Sequence, residues 1–182
     1  MRTNRIDRLI VALILLLSTP AGANIIMERS FSFLVTNSPL IVVARLTDTP
    51  PQAVEIKDPN TTQMLRFKRY ELAVEEPLKG AAPTQLPLVV YDGIKTEDGN
   101  LKTVIGSPVP PKESAVYFLS PFDSVPNAYV LTFFNQSIAP VRVRAEDGER
   151  IVLVRPLVST LKRDLTLAEF KKEIQWADTH SQ

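Results

Sequence analysis

The chain has 182 residues, with 21 Lys and Arg against 20 Asp and Glu, one histidine and no cysteine, for a formal net charge of +1. A balance this even gives no electrostatic footprint for nucleic acid or anionic lipid. The missing cysteine excludes disulfide staples and lipid attachment through an N-terminal cysteine.

Residues 1–23 carry the three parts of a secretory signal. Arg2, Arg5 and Arg8 form a positive start, Leu9 to Leu17 is an unbroken apolar run, and Ala21-Gly22-Ala23 supplies the small residues that signal peptidase accepts. Pro20 would break the helix just ahead of that site. The competing reading is an uncleaved anchor. Spanning a bilayer takes about 20 apolar residues, and Ser18, Thr19, Pro20 and Gly22 interrupt the run first. Cleavage is therefore expected between Ala23 and Asn24, leaving residues 24–182 as one domain. These 159 residues have lost three Arg and one Asp, which takes the formal net charge to −1. A chain of about 150 residues buries roughly 70% of its unfolded surface, enough for one core without staples. No second segment is long and apolar enough to cross a membrane. A small extracellular animal domain would more often carry disulfides, so the expected setting is a bacterial periplasm or secretion.

Within residues 24–39, Phe31, Leu34 and Val35 take helical spacing behind Ser30, a capping residue, and Pro39 ends the turn. A short helix is expected there. Leu40 to Leu46 is a β-branched run of strand length, and Thr47 to Thr62, with three prolines, reads as a loop. Between Leu65 and Val74 the apolar set moves from odd to even positions around Lys68-Arg69. That phase change implies either a β-bulge, which would bend the strand as a small barrel requires, or two shorter strands joined by a kink. Leu86 to Tyr91 is a further strand, with Pro87 near its start. Asp92 to Lys112 reads as a long polar connection, and Ala115 to Leu119 and Tyr129 to Phe134 as two more strands. Asp147-Gly148 suits a two-residue type I′ hairpin. Pairing Glu146 with Glu149 then sets Val143 opposite Val152 and Val141 opposite Val154 on one apolar face. A final helix is expected over 166–178. Thr166 and Glu169 form a capping box, Leu165 and Phe170 a hydrophobic staple, and Leu167, Phe170, Ile174 and Ala177 a stripe for docking.

These elements describe a mostly β domain, a small OB-like Greek-key barrel with an added C-terminal hairpin and a docked C-terminal helix. Three segments, Ser38 to Leu46, Tyr70 to Gly80 with its Leu78-Lys79-Gly80 end, and Glu113 to Leu119, resemble little-characterised bacterial secreted proteins with an OB-like fold. Those proteins are related to the netrin-like domains of the tissue inhibitors of metalloproteinases. The resemblance implies a fold over residues 30–145. The animal inhibitors chelate their target's zinc through an N-terminal cysteine, and here the expected N-terminus is Asn24, so it does not imply inhibition of that kind.

No catalytic, metal or nucleotide motif is present. The one histidine, His180, lies near the end of the chain, where neighbours to hold a catalytic imidazole are scarce. With one histidine and no cysteine, a transition-metal site would be almost all carboxylate. Asp92, Glu97 and Asp98 fall in one expected loop and could offer oxygens to calcium, but a solvated turn beside Lys95 and Lys102 is preferred. Asn60-Thr61-Thr62 and Asn135-Gln136-Ser137 match glycosylation acceptors, which mean little in a bacterium. Arg66, Lys68 and Arg69 beside Phe67 and Tyr70 could mimic a nucleic-acid face. Glu71, Glu75 and Glu76 follow, and an ordinary charged outer face is preferred. Trp176, at about 100° per residue, points away from the apolar stripe towards Lys172 and Glu169. An exposed Trp is often an interface anchor; the preferred reading is that the last turn frays and Trp176 folds back on the barrel.

The expectation is an exported, non-enzymatic module that binds an envelope protein or other ligand, without cofactor, metal, nucleic acid or membrane contact once the signal is removed. Its expected contact residues are Trp176, Lys172, Asp92 and Glu97. The alternatives are an envelope enzyme using the loop carboxylates Asp92, Glu97 or Asp123, and a structural or assembly accessory.

Overall fold

The structure is a computed structural model that describes residues 30–58, 61–96, 98–103, 108–154 and 164–180. The expected signal segment 1–23, Asn60 and Glu97 lie outside the described residues. Helix α1 (Phe31–Asn37) starts where Ser30 accepts a hydrogen bond from the Phe33 amide at 3.1 Å. Ten strands follow among the described residues: β1 (Leu40–Leu46), β2 (Gln52–Lys57), β3 (Met64–Lys79), β4 (Gln85–Lys95), β5 (Leu101–Thr103), β6 (Ala115–Pro121), β7 (Tyr129–Leu131), β8 (Ile138–Val143), β9 (Arg150–Val152) and β10 (Leu165–Thr166). A 3₁₀ turn, Phe134–Ser137, separates β7 from β8, and α2 (Leu167–His180) closes the order.

Five strands form a ring in the order β1-β3-β4-β7-β6, with β6 returning to β1. Every pairing in the ring is antiparallel except β4 with β7. β2 and β5 extend the sheet beside β3 and β4, and β8, β9 and β10 continue from β6.

The apolar run of β1 is buried on both sides, which is why it shows no alternation. Leu40, Val42 and Ala44 face the ring interior with Tyr117, Leu119, Leu72, Leu86 and Leu88. Ile41 and Val43 face outward into a second cluster with Val116, Phe118, α1, α2 and the β8–β9 hairpin. Phe31, Phe118 and Phe170 meet edge-on there, with centroids 5.4–6.4 Å apart, tying α1, β6 and α2 together. A third, smaller cluster lies on the outer face of β2, β3 and β4. There the loop after β6 lays Phe122, Val125 and Ala128 over Phe67, Val89 and Tyr91.

Several expectations are corrected. Residues 47–62 contain a strand: Val54 and Ile56 alternate with exposed residues and pair with Phe67 and Leu65. Pro50 and Pro51 sit ahead of the paired stretch, where their missing N–H groups take no donor from the ladder. The phase change at Lys68-Arg69 is neither a bulge nor a kink, because β3 is continuous and its pairing with β2 and β4 is regular there. Leu65 and Phe67 are packed on the outer face, whereas Tyr70 and Leu72 enter the ring. The strand keeps its period while the buried face changes. The bulges lie elsewhere: Asp92 is skipped in the β3–β4 register, and Glu75 and Leu78 are skipped against β1.

Asp92 to Lys95 belong to β4, and β5 folds back on them, so the expected long connection is partly a hairpin. The strand expected to reach Phe134 stops at Leu131. The hairpin after β8 pairs Val141 with Val152 and Val143 with Arg150. Arg144 and Glu149 close a four-residue loop through a 2.8 Å backbone hydrogen bond. Only Gly148 has positive φ in that loop, at 74°, so the turn is not type I′. The register differs by two residues, which keeps Val141, Val152 and Val154 on the buried face but leaves Val143 68% exposed.

Candidate functional site

Asp92 continues the alternation of Leu88 and Val90, which face the ring, and the bulge there leaves it unpaired in the β3–β4 register on the face that carries Arg66 and Lys68. Asp92 is only 7% exposed, and it lies 2.7 Å from Lys68 Nζ and 3.4 Å from Arg66 Nε. Buried carboxylates persist only with such counter-charges. Tyr70 lies beside this group: burial pushes its hydroxyl up from the usual range, with Lys68 lowering and Asp92 raising it further. Arg69 points to the opposite face and pairs with Glu71 at 3.0 Å. Arg66, Lys68 and Arg69 therefore do not form one nucleic-acid face, and Phe67 beside them is buried under Phe122 at 5.1 Å. Nor are Arg66 and Lys68 an ordinary outer surface, since they share a face with Tyr70 and Leu72.

Asp92 and Asp98 are not brought into one loop. Asp98 sits in the turn between β4 and β5, where the Thr96 hydroxyl and Asn100 Nδ2, the latter at 2.6 Å, donate to its oxygens. These bonds hold its carboxyl below the usual carboxylate range. That turn lines a cavity of about 490 Å³ with Thr62, Gln63 and Lys102. Asp123 is exposed in the loop after β6, apart from both. Among the described residues no group of three or more His, Asp or Glu is placed to hold a metal ion.

A second bulge leaves Glu75 unpaired against β1 and sets Glu76 opposite the outward-facing Val43. Glu75 accepts from the Ser114 hydroxyl at 2.6 Å and pairs with Arg150 at 3.0 Å. Arg150 also reaches Glu76 at 3.5 Å, and Glu76 pairs with Lys171 of α2. Glu75, Glu113, Ser114, Arg142 and Arg150, with Val141 and Val143, line a surface cavity of about 620 Å³. No local pattern marks this cluster, because its members come from β3, the approach to β6 and the β8–β9 hairpin, and only the folded chain brings them together.

Helix α2 has its expected capping box. The Glu169 amide donates to Thr166 Oγ1 at 3.1 Å and the Thr166 amide to Glu169 Oε2 at 2.9 Å. Leu167, Phe170, Ile174 and Ala177 are all buried. The helix runs on through His180, so its last turn does not fray, and Trp176 does not fold back on the barrel. Trp176 is 58% exposed and stacks on His180 with centroids 4.8 Å apart and planes 12° from parallel. Lys172, one turn earlier, is exposed as well. The helix is held at its far end by Lys79, which donates to the Val35 carbonyl at 2.7 Å and pairs with Asp178 at 2.6 Å.

No protein-family model, curated protein or solved structure gives a significant match to this chain. No helix among the described residues is long and apolar enough to cross a membrane.

Proposed function

We propose that the protein is an exported, non-enzymatic binding module of the bacterial envelope, built on an OB-like barrel related to the netrin-like domains. The observation that carries the binding role is Trp176. It is a large aromatic on the solvent side of a helix whose other side is fully docked, flanked by His180 and Lys172. Such an aromatic costs little to leave exposed singly, but aromatic anchors dominate the energetics of many interfaces. Asp92 and Asp98, candidates for carboxylate chemistry, are each engaged by neighbouring donors or cations. The OB-like reading is supported by the ring, whose strands meet in the chain order first, second, third, fifth, fourth, with the third and fifth parallel.

The test is affinity capture from the native envelope with the purified protein and its Trp176→Ala variant. Trp176→Ala should lower recovery of the captured partner at least tenfold, about 1.4 kcal/mol, and leave the thermal midpoint unchanged. Unchanged capture, or turnover of an envelope substrate that is lost on changing Asp92 or Asp123, would overturn the assignment. Export is tested separately: N-terminal sequencing of the exported protein should begin at Asn24, and intact Met1 protein in membranes would contradict cleavage.

A further inference from the structure

Arg66 and Lys68 stand two residues apart on the ring-side face of β3, and their charges are not balanced. Among the described residues their one counter-charge is Asp92, so two cations meet a single carboxylate. Glu55, directly across from Arg66 on β2, gives its carboxylate to Lys95 at 3.1 Å instead. Arg66 Nε is sealed from solvent and makes no hydrogen bond among the described residues, so Asp92 holds the guanidinium by charge at 3.4 Å. The whole Arg66 side chain is nevertheless 32% exposed and that of Lys68 44%. Both side chains are thus partly open to solvent while a buried anion holds Arg66 Nε and Lys68 Nζ. Residues two apart on a strand are about 7 Å apart, a span that one carboxylate or phosphoryl group bridges when both side chains lean towards it.

We infer that Arg66 and Lys68 form a subsite for a small oxyanion, a carboxylate or phosphoryl group, with Asp92 fixing the spacing of the two cations. The guanidinium supplies paired N–H donors that match such a group, and the ammonium supplies a point charge. Asp92 prevents the two cations from repelling each other apart when no anion is bound, so the subsite is arranged in advance. Nucleic acid is a poor fit. Stacking needs open aromatic faces, but Tyr70 on this face is 7% exposed and Phe67 lies on the other side under the loop. The subsite is separate from Trp176, so its test does not depend on partner capture.

The test is a two-dimensional NMR titration of the whole protein with sodium phosphate, sodium acetate and, at matched ionic strength, sodium chloride. Saturable shifts of the Arg66, Lys68 and Asp92 amides with phosphate or acetate, but not chloride, are expected; which of the two acts identifies the source of the oxyanion. Arg66→Gln should weaken the effect about tenfold or more, the loss expected for one charge-assisted contact. Arg66→Lys keeps the charge opposite Asp92 and guards against a folding defect; it should also weaken binding through loss of the fork. Arg69→Gln, on the opposite face, should leave it unchanged. Equal responses to all three salts, no saturable response, or full binding by both Arg66 variants would overturn the inference.

Discussion

Among the described residues Tyr117 sends the largest fully buried side chain into the ring, and its hydroxyl makes no hydrogen bond there. Burial alone drives that hydroxyl's ionisation far above its ordinary range. A buried donor without a partner costs about 1–3 kcal/mol, whereas the ring fills space between Val42 and Ile138, its cross-strand partners. Tyr117→Phe removes the cost and keeps the packing, so it should leave stability unchanged or raise it by about 1 kcal/mol. Chemical denaturation measures this directly. A loss of more than about 1 kcal/mol would mean that the hydroxyl has a partner, such as an internal water. The Leu78-Lys79-Gly80 end of β3 also acquires a physical reading at this scale. Gly80 has φ 75°, and a Cβ there would lie 2.5 Å from the Pro39 carbonyl oxygen. Lys79 joins the end of α1 to Asp178 of α2, and Leu78 packs on the helix-side core. The motif that carries the resemblance therefore serves as a clasp between β3 and the two helices.

Among the elements, α2 is the one most completely written in local sequence. Its capping box and apolar stripe lie within a few residues of one another and form as the spacing implies, and Leu165 and Phe170 are both buried in the helix-side cluster. Thr166→Ala should cost about 1 kcal/mol. Phe170→Ala should cost about 3–5 kcal/mol, because its ring is fully buried and meets Phe31 and Phe118. Near-zero effects in both denaturation curves would mean that α2 is not docked. α1 and β1 were legible for the same reason, a cap and a continuous apolar run. β2 was hidden by the prolines on either side of it in the sequence, and β5 by the polar turn before it. The face exchange in β3 could not be distinguished from a bulge, since a period of two records alternation but not which neighbour covers each face. The ion pairs at Asp92 and Glu75 lay further out of reach, because bulges displace register and no local pattern marks them. Trp176 was legible in direction from the helical angle. Its fate depended on whether the last turn held, which Lys79 and Asp178 help to secure from outside the helix.

At the level of the whole molecule, β1 and β6 are the common wall of two cores. Alternate residues of each enter the ring and the helix-side cluster, so neither core can open without exposing the other. Shared walls of this kind favour a single cooperative transition. The ring closes differently at its far side, where β4 and β7 meet through one parallel bridge, Leu88 with Tyr129. β7 has three residues, all only half-buried, and is followed after Thr132 and Phe133 by a 3₁₀ turn. Few buried contacts and few ladder bonds define the parts of a fold that open first. Amides in β7, residues 129–131, should therefore lose protection in native-state hydrogen exchange by local opening, at free energies well below global unfolding. Amides of residues 41–44 and 115–119 should exchange only through the global transition. The ring interior would then be reached through the β4–β7 seam, with the helices and hairpin still in place. Exchange of β7 at the same free energy and denaturant dependence as β1 would instead mean that the single bridge is reinforced by the packing of Tyr129 and Leu131 against the ring core, and that the barrel opens only as a whole.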